Sequence, residues 1–384
     1  MNIDEKMLSE LEALRKEIHA HPEISGEEEQ TAKRILEQLE KVDDIEVHSG
    51  VGGNGIIAVY DTGKEGPIVL LRAELDALPI DEVNDFEYRS KYEDKSHKCG
   101  HDGHMVILLG LVRTIVENPP KKGKIYFLWQ PAEENGEGAK AVISDEAFSR
   151  LDQPDYVLAL HNLPGYVKHK VVLRHEVFSA SVKSIIIKFK GKTSHAAEPE
   201  YGKNPAWPIW KILKLANDLS NNDMSRDDFC VITPIYIKLG DIAYGISAGK
   251  GDLRLTIRTW DVKHMTKYSE QLEKGIDEIC SDYEIDYKTS WTQEFASNRN
   301  NPEVVDVIES VAREFGYEMK ERQYPFKWGE DFGLFTQKFK GAMFGLGSGE
   351  DTPALHNPDY DFPDELIKSG VELFYHTTTK LLEE

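Results

Sequence analysis

The stretch that decides the fold is KIYFLWQPAEE at residues 124–134, in which an apolar run ends abruptly at two acidic side chains. Seven residues are too few for a typical helix, and the aromatic and β-branched side chains of 124–130 favour a strand. Because the apolar residues stand at successive positions and do not alternate with polar ones, we expect a strand that is covered on both faces. Strands of this kind occur mainly in parallel sheets flanked by helices.

Three other short apolar runs share this character: GIIAVY (55–60), PIVLLRA (67–73) and DYVLALH (155–161). Helical patterns at 103–117 and 136–148 fall between the later runs. Continuous apolar strands separated by helices are typical of α/β domains. The sequence therefore predicts an α/β fold with a mixed, largely parallel sheet sandwiched by helices.

The pattern changes near residue 180. A β-α-β-β-α-β series follows, with strands at 183–191, 229–239, 250–259 and 284–290 and helices at 205–220 and 264–282. This order is that of ferredoxin-like α+β units, which can fold independently. A helix at 302–316, a strand at 341–346 and a helix at 364–382 then resume the first pattern. We expect a catalytic domain formed by 1–179 and 293–384, interrupted by an inserted domain at 180–292.

The composition narrows the class of protein. A chain of 384 residues with 40% hydrophobic content is long enough for two domains. Its 68 acidic and 46 basic side chains give a net charge of −22, which repels nucleic acid and anionic lipid. No run approaches the roughly 18 apolar residues of a membrane span, and three scattered cysteines are too few for a disulfide framework. We expect a cytoplasmic two-domain enzyme with no nucleic-acid or membrane partner.

The densest cluster of candidate ligands is CGHDGH at 99–104, just before an apolar helical pattern. Cys99 and His101 stand two residues apart at a predicted helix start, where a thiolate and an imidazole can bind one metal ion. A polar turn rich in histidine, or a redox-active cysteine, would give the same pattern. The cluster alone therefore leaves all three interpretations open.

The other candidate ligands also lie at predicted strand ends. Glu133 and Glu134 follow strand 124–130 at the end where open parallel sheets bind ligands, although acidic residues also open helices. His161 ends the run at 155–161, and His356 follows a glycine-rich stretch. Each histidine alone is more often packed or exposed than a ligand. Taken together, one sulfur, several imidazoles and one or two carboxylates suit zinc, manganese, cobalt or nickel, and do not suit calcium.

Six motifs follow one another along nearly the whole chain: HAHPE (19–23), RAELDALPI (72–80), CGHDGH (99–104), QPAEE (130–134), GKTSHAA (191–197) and LHNPDYDF (355–362). Together with His161, they resemble the amidohydrolase branch of the aminoacylase and carboxypeptidase metallopeptidases, clan MH. This branch includes hippurate hydrolases, auxin-conjugate hydrolases and N-acetyldiaminopimelate deacetylases. The resemblance implies metal-dependent hydrolysis of the amide bond in small N-acyl amino acids.

The resemblance also implies a role for each site residue. Two divalent ions, manganese or zinc with cobalt or nickel as alternatives, would be held by Cys99, His101, Glu134, His161 and His356. Glu133 would be the general base and later the general acid, and Asp76 would orient a ligand. The inserted domain would act as a lid and form a homodimer. Its His195 would contact the substrate in its own or the partner subunit's site, and its Arg258 would bind the substrate carboxylate.

The sequence departs from the family pattern at two places. Glu74 stands where relatives usually have Asp, and 245–248 reads GISA where an Asn-Val-Ile-Pro stretch is usual. The second departure removes a donor to the substrate, which supports the alternative of a metal-binding relative without catalysis. A dinuclear-metal dipeptidase or carboxypeptidase is a separate alternative within the hydrolases. A two-metal phosphatase fits poorly with a Cys99 ligand and an acidic surface.

Overall fold

The computed structural model describes residues 3–383 and divides the chain into two compact units. The first unit comprises the chain up to Phe178, Asn298–Gln323 and the chain from Asp331 onward. The second unit comprises Ser179–Ser297 and Tyr324–Glu330. The sequence predicts an inserted segment at 180–292, and the short stretch Tyr324–Glu330 is an addition to it that no motif indicated.

Sixteen strands and ten α-helices make up the described chain. The strands are β1 (Glu46–Val51), β2 (Gly55–Asp61), β3 (Ile68–Glu74), β4 (Lys124–Gln130), β5 (Tyr156–Pro164), β6 (Val171–Leu173), β7 (Glu176–Ser179), β8 (Ser181–Lys190), β9 (Ser194–His195), β10 (Cys230–Leu239), β11 (Ile246–Ser247), β12 (Lys250–Thr259), β13 (Asp286–Phe295), β14 (Asn298–Asn300), β15 (Met319–Glu321) and β16 (Lys340–Gly349). The helices are α1 (Glu5–Ala20), α2 (Glu29–Leu39), α3 (His101–Glu117), α4 (Gly138–Ser144), α5 (Glu146–Arg150), α6 (Ala206–Leu219), α7 (Val262–Asp282), α8 (Pro302–Glu314), α9 (Gly333–Thr336) and α10 (Leu366–Glu383). A 3₁₀ turn lies at Pro199–Tyr201.

An eight-stranded mixed sheet forms the first unit, in the order β1-β2-β4-β3-β5-β16-β6-β15. Its central strands β4, β3, β5 and β16 run parallel, whereas β1, β2 and β6 pair antiparallel with their inner neighbours. The predicted α/β class with a largely parallel sheet is confirmed. Because the parallel strands all end at the same edge, the residues that follow them lie close together there.

The packing of helix α3 fixes the position of its first turn at this edge of the sheet. Nearly all of its residues are buried, since it packs between β3, α1 and α10. A helix that is apolar around its whole circumference must lie inside a protein. The first turn of α3, which begins at His101, is therefore rigidly placed beside the strand ends.

The predicted single helix at 136–148 is wrong, because the structure contains two short helices there. Asp145 has an extended backbone with ψ of 140°, which ends α4, and its carboxylate accepts a hydrogen bond from Ala147 N to begin α5. Such N-capping by Asp competes with continuation of a helix. Strands β1, β6 and β15 were not predicted, because β1 and β15 are largely polar and β6 has only three residues.

The second unit contains a four-stranded sheet in the order β10-β12-β8-β13, with every pair antiparallel. Helices α6 and α7 pack on it through a core that includes Ile187, Ile212 and Leu272. This is the ferredoxin-like arrangement that the β-α-β-β-α-β series predicts. No helix within residues 3–383 is both long and apolar enough to cross a membrane.

Candidate metal centre

The carboxyl ends of β3, β4 and β5 and the start of α3 bring the predicted ligands together. Cys99 Sγ lies 3.5 Å from His161 Nε2, and His101 Nε2 lies 3.8 Å from Glu134 Oε1. His356 Nε2 lies 3.7 Å from Glu134 Oε2. In three overlapping groups, the candidate ligand atoms fall within 4.8 Å of one another: Cys99 with His101 and His161, His101 with Glu133 and Glu134, and Cys99 with Glu134 and His356.

Backbone carbonyl groups orient two of the imidazoles. His101 Nδ1 donates to Asp76 O at 2.8 Å, and His161 Nδ1 donates to Asn162 O at 2.9 Å. With Nδ1 used in this way, each ring turns Nε2 toward the cluster of candidate ligands. His101 Nε2 is buried and has no hydrogen-bond partner among the residues that the structure describes. A divalent metal ion can take the place of a proton on this buried nitrogen beside a carboxylate, so these residues fit such an ion.

The charges at this edge point to the same conclusion. Burial raises the pKa of the Cys99 thiol well above its usual value, and the carboxylates of Glu134 and Glu133 raise it further. Burial opposes protonation of His101, but Glu74, Asp76 and Glu134 outweigh it and raise the pKa to about 10. A divalent cation bound here would neutralise the carboxylates and ionise the Cys99 thiol.

The buried carboxylate of Asp76 contacts the residues of the candidate cluster. Its Oδ2 accepts hydrogen bonds from Glu134 N at 2.9 Å and from Ser25 Oγ at 2.7 Å. Its Oδ1 lies 3.5 Å from His101 Nδ1. One buried carboxylate therefore contacts the segments that carry two candidate ligands.

The loops that carry the candidate site residues have unusual backbone conformations. Ala132, immediately before Glu133, has φ of 51°, and His356 has φ of 65°. Non-glycine residues rarely adopt such left-handed values, which cluster at functional sites. The His356 backbone is held by a hydrogen bond from its N to Lys98 O at 2.8 Å. Glu133 is buried, and its Oε1 accepts a hydrogen bond from Asp331 N at 3.4 Å.

A second group of buried polar residues lies next to the candidate ligands, and only part of it could be predicted from the sequence. His104 Nδ1 contacts Glu74 Oε2 at 2.7 Å, and its Nε2 contacts Asn162 Oδ1 at 2.6 Å. The Arg72 guanidinium contacts both Glu74 and Asp331. A charged residue in an apolar strand such as β3 is a usable sequence signal for Arg72, because burial of a charge requires partners. No sequence pattern of this kind marked Asp331 as a buried residue.

Comparison with known proteins decides the family. The family model described as peptidase family M20/M25/M40 matches residues 70–380. The chain belongs to this family. It is similar over nearly its full length to hippurate hydrolase of Campylobacter jejuni, at 30% identity over 376 residues with 97% of each chain covered. It is likewise similar to N-acetyldiaminopimelate deacetylase of Bacillus licheniformis, at 28% identity with 95% of this chain and 97% of the relative covered.

A solved dinuclear metal-binding peptidase of the M20 family from Bacillus subtilis has the same fold, with a TM-score of 0.83, 24% identity and 99% of each chain covered. The family inferred from the six motifs is confirmed, and this M20 family member is a hydrolase of the amidohydrolase type.

The remaining predicted site residues of this M20 family member lie in its second unit. His195 is exposed in β9, where its Nδ1 accepts a hydrogen bond from Ala197 N at 3.1 Å. Residue Ile246 of β11 pairs directly with His195, so the stretch 245–248 that lacks the usual asparagine adjoins this histidine. Arg258 lies in β12 and donates through Nη1 to Lys327 O at 2.6 Å. Both residues belong to a different unit from the ligand cluster.

Proposed function

We propose that this protein hydrolyses the amide bond of small N-acyl amino acids, such as N-acetyl or N-benzoyl conjugates, to a carboxylic acid and a free amino acid. The observation that carries the proposal is the cluster of sulfur, imidazole and carboxylate donors beside Glu133, with a buried His101 Nε2 directed into it. The relatives named as hippurate hydrolase and N-acetyldiaminopimelate deacetylase support the substrate class. Two divalent ions would be held by Cys99, His101, Glu134, His161 and His356.

The ions, when bound, supply water of lowered pKa and polarise the acyl carbonyl group. Glu133 would accept a proton from the attacking water as its oxygen bonds to the acyl carbon, and would return that proton to the amine nitrogen as the C–N bond breaks, so that one carboxylate serves both proton transfers. Its buried position beside Asp331 N keeps one carboxylate oxygen in a fixed direction. His195 donates to the carbonyl oxygen as it becomes negative, and Arg258 binds the substrate carboxylate.

The test is the release of free amine from N-acetyl, N-benzoyl and indoleacetyl amino acids and from simple dipeptides. Protein stripped with a chelator is assayed alone and after addition of manganese, zinc, cobalt or nickel. We expect metal to restore cleavage of the N-acyl compounds, most strongly manganese or zinc. Cleavage of dipeptides alone would favour the peptidase alternative, and tight metal binding without any cleavage would favour the non-catalytic one.

We also propose a homodimer formed through the second unit. Strand β10 is the outermost strand of its sheet, and its exposed side chains include Ile235, Tyr236, Ile237 and Leu239. An edge strand with exposed apolar side chains is a typical template for pairing with another chain. A location in the cytosol stays a prediction from composition.

A further inference from the structure

Asp331 has an unusually complete set of donors around a fully buried carboxylate. Arg72 Nη2 lies 2.6 Å from Oδ1, and Gln130 Nε2 lies 2.9 and 2.8 Å from the two oxygens. Ala139 N donates to Oδ2 at 2.8 Å. Burial of a carboxylate is costly unless partners of this quality replace water. The proposed mechanism uses the backbone N–H of Asp331 but assigns no role to its carboxylate.

Two of these donors bracket the loop that carries the acidic pair. Gln130 is the last residue of β4, Ala139 is the second residue of α4, and Glu133 and Glu134 lie between them. The Asp331 carboxylate therefore joins both ends of the loop. Within the loop, Gly138 N donates to Ala132 O at 2.9 Å and Gly136 N to Glu133 O at 2.8 Å. The loop is thus closed at its base and tightly turned inside.

The backbone of Asp331 adds a direct contact, because its N–H donates to Glu133 Oε1 at 3.4 Å. We propose that Asp331 is a positioning residue for Glu133: its carboxylate clamps the ends of the 130–139 loop, and its N–H directs the Glu133 carboxylate. Since a small displacement of a reacting group lowers the rate strongly, this clamp matters for turnover. The role of Glu133 as base rests on the proposed function, whereas the clamp does not.

Hydrogen exchange measured by mass spectrometry on the metal-loaded protein tests the clamp without any assay of activity. Asp331→Asn keeps the shape of the side chain and removes its charge. We expect amides of 132–139 to exchange at least about 10-fold faster than in the wild type, because the loop opens at lower free energy. The control is Asp155→Asn, whose carboxylate accepts from Ile68 N at the opposite end of β3. Unchanged exchange of the loop in Asp331→Asn would overturn the clamp.

Kinetics test the effect on Glu133. We expect Asp331→Asn to lower kcat by about 10- to 100-fold at saturating metal, with KM within about 2-fold and both ions retained. In the Glu133→Gln background, the same change should cause almost no further loss, because coupled residues are not additive. An equal further loss in that background, or loss of the ions, would overturn the positioning role.

A second variant, Gln130→Met, keeps the inference testable if Asp331→Asn does not fold. Gln130→Met removes the amide that contacts both Asp331 oxygens and leaves the carboxylate with Arg72 and Ala139. It should produce the same changes in exchange and kcat in smaller measure, and no change in either would overturn the inference. If the wild type cleaves no amide with any metal, the proposed function fails, whereas the exchange result still decides the clamp.

Discussion

At the scale of single residues, Glu133 is the side chain on which the proposed chemistry depends most. We expect Glu133→Gln to lower kcat by about 100- to 10,000-fold, because general base catalysis contributes that much, while the metal content stays unchanged. The matched control is Glu137→Gln, since Glu137 belongs to the same loop and is exposed. Turnover and metal content measured on the same preparations decide the matter. Wild-type turnover in Glu133→Gln would remove this residue from the mechanism.

His19, in the first of the six motifs, has a different task. It is buried, and its Nδ1 and Nε2 contact Asp102 at 2.8 Å and Glu82 at 3.1 Å. Burial lowers its pKa, but hydrogen bonds to these two carboxylates outweigh the burial and raise the pKa to about 9. A charged His19 therefore stabilises the folded state.

This gives the stability a definite dependence on pH. Because the folded pKa of His19 lies above the ordinary value of 6.5, its contribution is full below pH 6.5 and is lost as the pH rises through 9. We expect it to amount to at most about 3 kcal/mol. Urea unfolding between pH 6 and 9.5 should show a decline that His19→Gln flattens and that His48→Gln, on the edge strand β1, retains. An identical decline in His19→Gln would contradict this account.

Much of the residue-level site could be predicted because its members belong to contiguous motifs at strand ends. Two sets of residues could not be predicted in this way. Asp331 acts through contacts with Arg72, Gln130 and Ala139, which are remote in sequence, and such partners can be found only once the fold is known. The network of Arg15, His19, Glu82, Lys98 and Asp102 was missed for the same reason.

At the scale of elements, two glycines of α3 make a matched pair. A Cβ added at Gly103 would lie 2.4 Å from ring atoms of Phe362, which is itself buried. A Cβ at Gly110 would meet the ends of two flexible side chains, Leu11 Cδ1 at 2.8 Å and Val371 Cγ2 at 2.9 Å. The first contact involves a rigid ring, whereas the second can be relieved by small shifts.

We expect Gly103→Ala to lower the free energy of unfolding by about 1–3 kcal/mol through overpacking, and to weaken metal binding because His101 and His104 lie in the same turn. Gly110→Ala should remain within about 1 kcal/mol of the wild type, since the better helix propensity of alanine offsets the crowding. Urea denaturation and metal titration of both variants give the comparison. Equal losses in the two variants would show that the Phe362 ring yields as readily as the aliphatic side chains.

Elements with a strong apolar period were predictable, and those defined by a single polar contact were not. Strands β2, β3, β4 and β5 could be predicted from local sequence, because burial on both faces requires a continuous apolar run. The break between α4 and α5 depends on one carboxylate, that of Asp145, which also accepts from Gly52 N at 2.8 Å. A hydrogen bond between residues so far apart leaves no mark on local periodicity.

At the scale of the whole molecule, the order of elements around residue 180 was enough to indicate two folding units, because each pattern is characteristic of a different fold class. The return of Tyr324–Glu330 to the second unit was not predictable, since it depends on backbone pairing such as Ala180 N with Phe326 O at 2.9 Å. Association between two copies of the chain has to be inferred from the side chains exposed on the surface.

The proposed homodimer can be tested at strand β10. Ile235 and Ile237 are 61% and 50% exposed on this outermost strand, whose register shifts between Pro234 and Tyr236. A lysine on a dimer-forming edge introduces like charges at the interface and blocks pairing of apolar side chains. We expect sedimentation to show a dimer for the wild type and a monomer for Ile237→Lys. Val47→Lys, on the outermost strand β1 of the other sheet, should leave the dimer intact, and a dimer that persists in Ile237→Lys would exclude this edge as the interface.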